Sequence, residues 1–322
     1  MTTGQKQKSF SLVGLLEVAA VLMCAGSLAG FCGRVWWLFE LASHFRLHFA
    51  LGLGVFALVW LACRRWRMAA ICGGFAALNV VLVLSLFWPI EKVGIASGAS
   101  LRLVSLNVLT SNSRADLVLK FLRHSEADVI LLMEVNDRWL ADLATLQTNY
   151  PYQIKEARED NFGIALFSRI PLTNPSVVEL GEAEIPSLTA ELELAGQKIF
   201  LLGTHPLPPG SAENSRLRNE QLEKIAKTVR GQNLPAVVIG DLNCTPWSPY
   251  FSGLLAAAGL KNTSQGLGVF NSWPATLAIV GIPIDHCLVT PNIRVTKKET
   301  GPPVGSDHLP VLIELQLPPK NK

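Results

Sequence analysis

The chain has 322 residues, 49% of them apolar and 16% charged, with a formal net charge of +3. This excludes a disordered chain or a polyelectrolyte. An ordinary soluble domain is about one quarter charged, so the charge must be unevenly placed. Residues 1–90 hold only nine charged side chains, namely Lys6, Lys8, Glu17, Arg34, Glu40, Arg46, Arg64, Arg65 and Arg67, whereas residues 91–322 hold 21 Lys/Arg against 23 Asp/Glu. That near-neutral balance gives the later part no general electrostatic grip on a nucleic-acid backbone.

Three apolar runs fill the first third: residues 10–33, 47–63 and 68–90. Crossing a hydrocarbon core about 30 Å thick takes roughly 20 apolar residues, with about 17 to 25 tolerated. All three runs qualify, the middle one at the lower limit. No amphipathic stripe is present and the third run is apolar around its whole circumference, which argues against helices of a soluble core. Were the first run a cleaved signal, two spans would remain. Lys6 and Lys8 group with Arg64, Arg65 and Arg67 on the cytoplasmic side, with Arg34 and Arg46 across the membrane. Residues 1–90 are therefore expected to form a multi-pass anchor in the cell membrane, with a cytoplasmic N-terminus and everything after residue 90 extracytoplasmic. Residues 34–46 (RVWWLFELASHFR) suit an interfacial stretch or a plain connecting loop equally well. Glu17, near the start of its span, is placed to reach the interface. Of the six cysteines, only Cys244 and Cys287 lie outside the apolar third, and a bond between them is left open.

Residues 91–100 (EKVGIASGAS) read as a linker, 101–316 as one domain and 317–322 as a tail. Alternation over 101–107 predicts a half-buried strand, and Ser113 is placed to cap the helical DLVLKFLRH. DVILLMEV (128–135) is a buried strand, followed by a helical DRWLADLATLQ. Further strands are expected near 152–156, 162–168, 188–194 and 199–204, then a proline-rich loop. A helix over 214–230 turns Leu217, Leu222, Ile225 and Val229 to one side. Strands at 235–241, 282–289 and 309–315 complete eight or nine, which indicates a layered α/β domain with a largely antiparallel core.

Polar residues stand at the ends of these apolar strands. Asn107 ends LRLVSLN, Glu134 ends VILLME, His205 ends IFLLGTH, and Asp241 and Asn243 end AVVIGDLN. Asp285 and His286 interrupt IPIDHCLV, and Ser306, Asp307 and His308 lead into LPVLIEL. Converging acids without a counter-charge would cost several kcal/mol each, so a divalent cation is implied. An almost purely oxygen donor set favours Mg²⁺ or Mn²⁺ over Zn²⁺. With histidines and amides added, the set describes hydrolysis of a phosphate ester by in-line attack of water. Alternation along the strand puts His286 on the face opposite Asp285, outside the chemistry. Lys224, Lys227 and Arg230 read as the solvated face of their helix, and Trp247, Tyr250, Phe251 and Trp273 as substrate-mouth or core residues.

The ordered motifs LNV, DVILLMEV, GTHP, VVIGDLN, IDHCLV and GSDHLPV resemble the endonuclease/exonuclease/phosphatase (DNase I-like) superfamily over about residues 101–316. The resemblance implies a four-layer α-β-β-α sandwich, here preceded by three transmembrane helices, and a Mg²⁺-dependent phosphodiesterase or phosphatase. It casts Glu134 as principal metal ligand, with Asn107 nearby and Asp307 at the metal side. Asp241 would position or deprotonate the attacking water, Asn243 would steady phosphate oxygens, Asp285 would orient His308, and His205 would donate to the phosphoryl or leaving oxygen. Two departures stand out: Leu109 replaces an acid common in the family, which leaves one firmly held ion, and Met133 stands where a Gln often precedes the metal-binding Glu. A bilayer partner and a lipid-linked phosphate or pyrophosphate substrate follow from the anchor. A surface-tethered endonuclease or exonuclease acting on DNA or RNA is the alternative, less favoured for want of a basic cluster beside the motifs. A catalytically dead binding module is a third reading, opposed by retention of the demanding positions.

Overall fold

A computed structural model describes residues 12–88 and 98–317. Lys6, Lys8, most of the 91–100 linker and residues 318–322 of the tail lie outside the described residues. The chain divides into two compact units, residues 1–83 and 84–322.

Among its described residues the first unit holds four helices, α1 (Leu12–Ala29), α2 (Trp37–Ser43), α3 (Arg46–Ala62) and α4 (Trp66–Leu84). Leu12–Ala29 and Trp66–Phe87 are each long and apolar enough to cross a membrane, and α2 with α3, bent by 70°, count as a third span if taken as one. Leu12, Leu22, Leu58 and Val81 are more than three-fifths exposed, an outward apolar surface suited to lipid rather than water. Glu17 pairs with Arg65 of the α3–α4 turn. Residues 34–46 differ from a simple loop: Glu40 and Arg46 are buried. The Arg46 Nη1 donates to the Ser27 carbonyl oxygen at 2.8 Å, its guanidinium lies 4.1 Å from the Phe31 ring centroid, and Asn79 Nδ2 donates to Ser27 Oγ at 2.6 Å. Inside apolar surroundings a charge is tolerated only with such partners.

The second unit runs β1 (Ser100–Asn107), α5 (Ala115–Ser125), β2 (Val129–Met133), α6 (Asp137–Asp142), β3 (Tyr152–Glu156), β4 (Ile164–Ser168), β5 (Leu172–Glu179), β6 (Pro186–Leu194), β7 (Gln197–Thr204), α7 (Ala212–Arg230), β8 (Ala236–Asp241), α8 (Pro249–Ala258), β9 (Lys261–Asn262), β10 (Asp285–Val289), β11 (Arg294–Thr300) and β12 (Val311–Gln316). Two six-stranded sheets result, ordered β11-β12-β1-β2-β4-β3 and β5-β6-β7-β8-β10-β9. Leu103, Leu131 and Met133 of the first sheet pack with Leu201, Ile239 and Cys287 of the second. The outer faces are covered by α5 and α6, through Val118, Leu122 and Trp139, and by α7 and α8, through Leu222, Ile225 and Phe251. This is the four-layer α-β-β-α sandwich.

Several local expectations change. Arg114, not Ser113, occupies the cap position of α5. The helical stretch after Glu134 is α6 followed by a 3-10 turn. Strands β5, β9 and β11 bring the total among the described residues to twelve. On α7 the buried face is Ser215, Arg218, Gln221, Leu222, Ile225, Ala226 and Val229, with Leu217 only half-buried. Cys244 and Cys287 are buried and form no disulfide with each other.

Each sheet contains one parallel pair joined by a helical crossover, β1–β2 through α5 and β7–β8 through α7. A parallel pair brings two strand C-termini to the same edge. Asn107 registers with Met133, the residue before Glu134, and Thr204 registers with Gly240, so that His205 and Asp241 both follow the last paired positions. The antiparallel partner β10 begins at that edge, with Asp285 opposite Asp241.

Candidate active site

At the β1–β2 edge, Asn107 Nδ2 donates to Glu134 Oε1 at 2.9 Å and the Thr110 amide donates to Glu134 Oε2 at 3.1 Å. The Leu109 amide donates to Asn107 Oδ1 at 3.0 Å, fixing the Asn107 amide so that its nitrogen faces the carboxylate. Glu134 (φ +61°) and Leu109 (φ +60°) both adopt left-handed backbone. Strain of about 1–3 kcal/mol per such residue persists where neighbours over-determine it, commonly at functional sites.

At the β7–β8 edge, Asp241 and His205 are buried, with His205 Nε2 3.5 Å from Asp241 Oδ2. Asp241 Oδ1 accepts the Asn243 amide at 2.9 Å, an Asx turn that carries Asn243 to φ +49°. The Asn243 side chain donates to the Pro206 carbonyl oxygen at 2.9 Å, which secures the loop behind His205. Gly240 has φ +146°, and a Cβ there would run into the Thr204 carbonyl oxygen. Gly240→Ala should therefore destabilise the protein by about 3 kcal/mol, read as a lowered thermal midpoint in detergent, with activity falling in parallel.

The remaining group comes from β10 and the loop before β12. His308 Nδ1 and Asp285 Oδ2 are hydrogen-bonded at 2.8 Å, while His308 Nε2 lies 3.7 Å from Asp241 Oδ2. The Ser306 hydroxyl donates to the Asn107 carbonyl oxygen at 2.7 Å and accepts the His308 amide at 3.0 Å. One serine thus bolts the His308 loop to the strand that carries Asn107. Burial alone would lower the His308 pKa, but the Asp285, Asp241 and Asp307 carboxylates override it and raise the value to about 10. Burial would likewise raise Asp241, yet the His205 contact and the charge on His308 leave it below the ordinary carboxylate value.

His286 faces away. Its Nε2 is 2.8 Å from the Cys244 carbonyl oxygen and its ring packs on Phe251. Burial, with Lys298 nearby, lowers its pKa to about 3, so it stays neutral. Lys298 is itself buried against Thr263 Oγ1 and Ser264 Oγ, at 3.2 and 2.8 Å, and burial lowers its pKa from 10.5 to about 8. Between those two values the unfolded chain binds more protons, so stability rises with pH. Against a Lys298→Met variant, the wild type should gain on the order of 3 kcal/mol from pH 8 to 10.5, measured as the difference between their thermal midpoints across that range.

The donors fit a hard divalent cation. Asp285 Oδ1 and Asp307 Oδ1 are buried without a hydrogen-bond partner, an arrangement that a cation relieves. The ligand atoms of Asp241, Asp285 and His308 lie within 4.8 Å of one another, close enough to hold an ion. Within that trio Asp285 Oδ2 is already engaged by His308 Nδ1, which leaves Asp285 Oδ1 as its open donor atom. Asp307 Oδ2 is held by Trp273 Nε1 at 3.0 Å.

The family model described as Endonuclease/Exonuclease/phosphatase family matches residues 104–308. The chain belongs to this family. Its members are metal-dependent phosphoester hydrolases. No curated protein sequence matches the chain. Among solved structures, an endonuclease/exonuclease/phosphatase from Bacteroides vulgatus is 19% identical, with TM-score 0.57 and coverage of 68% of this chain and 99% of that one. TDP2 from D. rerio, complexed with single strand DNA product, is 15% identical, with TM-score 0.58 and coverage of 68% and 99%. Sphingomyelinase C from Streptomyces griseocarneus is 17% identical, with TM-score 0.51 and coverage of 67% and 99%. At these identities the likeness is one of fold.

Two residues of this family member were not singled out by its sequence. Thr110 holds Glu134 twice, through its amide and by donating Oγ1 to the Glu134 carbonyl oxygen at 3.1 Å. Buried Arg218 donates to the Asn243 carbonyl oxygen at 2.9 Å. Its place on the apolar stripe of α7, four residues before Leu222, was the available signal.

Proposed function

We propose that the chain is a membrane-anchored, divalent-metal-dependent phosphoester hydrolase with an extracytoplasmic active site, acting on lipid-linked phosphate or pyrophosphate. The observation that carries the chemistry is Asp241 Oδ2 facing both His205 and His308, with Asp285 behind His308. Mg²⁺ or Mn²⁺, held by Glu134 with Asn107 and Asp307 nearby, would neutralise charge on a phosphoryl oxygen. Asp241 orients the attacking water and takes its proton. His308, kept positive by Asp285, steadies the equatorial oxygens as charge builds on them. His205 gives a proton to the leaving oxygen as the P–O bond to it breaks and the bond to the water oxygen forms. Asn243 completes the cradle by steadying a phosphate oxygen.

The candidate spans support the choice of substrate, because tethering raises the effective concentration of membrane-borne phosphates. Purified full-length protein with Mg²⁺ should release phosphate or headgroup from a panel of polyprenyl pyrophosphates and phospholipids, and Glu134→Ala should not. Plasmid nicking without lipid hydrolysis would favour the nuclease, and no turnover on any lipid phosphate would refute the proposal. A reporter fused after residue 322 should be active only outside the cytoplasm.

A further inference from the structure

We propose that Trp273, Leu277 and Val280, between β9 and β10, belong to a surface with which the catalytic unit contacts the lipid bilayer, at the rim of the active site. This rests on the membrane-anchored part of the reading above.

The surrounding sequence carries no Asp, Glu, Lys or Arg from Asn262 through Ile284, a run of 23 residues. Among the described residues from 98 to 317, six large apolar or aromatic side chains are exposed, and four of them fall in this run: Leu267 at 42%, Trp273 at 37%, Leu277 at 58% and Val280 at 41%. A charge-free stretch with clustered apolar side chains is out of place on a water-facing surface and suited to a membrane interface.

The exposure is built into the fold. Trp273 and Ile282 exchange backbone hydrogen bonds at 3.1 and 2.6 Å, the Ala275 amide donates to the Asp307 carbonyl oxygen at 2.7 Å, and the Leu277 amide donates to that of Pro274 at 3.0 Å. Trp273 has the amphipathic form favoured at interfaces, an apolar ring whose N–H is committed to Asp307 Oδ2, next in sequence to His308.

The bilayer, rather than a protein, is the indicated partner because the chain enters the second unit at this same loop. The Gly266 amide donates to the Leu86 carbonyl oxygen at 2.7 Å, and Gln265 Nε2 donates to the carbonyl oxygens of Ser85 and Trp88 at 2.6 and 3.1 Å. Phe87 and Trp88, at the end of the last candidate span, are exposed. The charge-free run is therefore tied at its start to the segment that follows the last helix of the candidate spans.

The test uses full-length protein in vesicles of phosphatidylethanolamine and phosphatidylglycerol, with Leu277 replaced by photoreactive benzoylphenylalanine. Illumination should attach phospholipid at that position. In parallel, Leu277→Ser with Val280→Ser should slow hydrolysis of a vesicle-borne lipid phosphate about tenfold or more, while turnover of a water-soluble aryl phosphate ester stays unchanged. Absence of lipid adducts, or unchanged hydrolysis of the vesicle-borne lipid by the double variant, would overturn the inference. Lipid adducts with no lipid phosphate hydrolysed even by the wild type would uphold the contact and refute the lipid-substrate reading, so the two can fail separately.

Discussion

Glu134→Gln should lower metal-dependent turnover by about 1,000-fold or more and leave the fold intact. The substitution keeps the side chain's shape and removes the charge expected to bind the ion. The local hydrogen-bond arithmetic limits the structural damage. Glu134 now accepts from Asn107 Nδ2 and the Thr110 amide, and the new amide can keep one of these contacts while its NH₂ faces the other donor. One lost hydrogen bond at a half-buried position costs about 1 kcal/mol, a small part of a typical stability. Titration of activity with Mg²⁺, alongside circular dichroism, separates a lost ion from a lost fold. A variant with wild-type Mg²⁺ dependence and turnover would remove Glu134 from the metal site.

The second large effect is expected at Asp285. Asp285→Asn should reduce kcat by about 100- to 10,000-fold, the range associated with losing a positioned acid–base group. The carboxylate is buried and makes the 2.8 Å contact that orients the His308 ring. It also heads the influences that raise the His308 pKa against burial. The amide replaces a charged acceptor with a neutral one, so the His308 ring is held less firmly and its pKa falls. Asp285 and His308 then act as one unit, and their losses should not add. The Asp285→Asn, His308→Gln double variant should be no slower than the worse single variant. Multiplicative losses in that cycle would show that the two residues act independently.

Much of this site was legible because stretches such as VILLM and AVVIG are apolar at every position, so a polar residue immediately after them has no packing role. The parallel pairing of β1 with β2 and of β7 with β8 then converts sequence ends into one spatial edge. Strands β5 and β11 were hidden for the opposite reason. β5 is exposed along most of its length and contains Pro175, while β11 (RVTKKET) is a charged edge strand with a bulge between Val295 and Lys297. Edge strands owe their formation to a neighbour rather than to their own pattern. Arg46 illustrates the same limit in the first unit. Its partners Ser27 and Asn79 stand 19 and 33 residues away, and nothing near position 46 reveals them.

The order of strands carries a consequence for biosynthesis. The second sheet is assembled from β5 to β10, whereas the first is interrupted: β12 inserts between β11 and β1, and the His308 loop precedes it. Asn107 and Glu134 are synthesised some 175 to 200 residues before the histidine that completes their site. A chain stalled between Thr300 and Ser306 holds Glu134, Asp241 and Asp285, but lacks Asp307, the Ser306 bolt and an inner strand of its first sheet. Competence to hydrolyse a phosphate ester therefore arrives only with the return of β12 to β1, long after the candidate spans of the first unit have been synthesised.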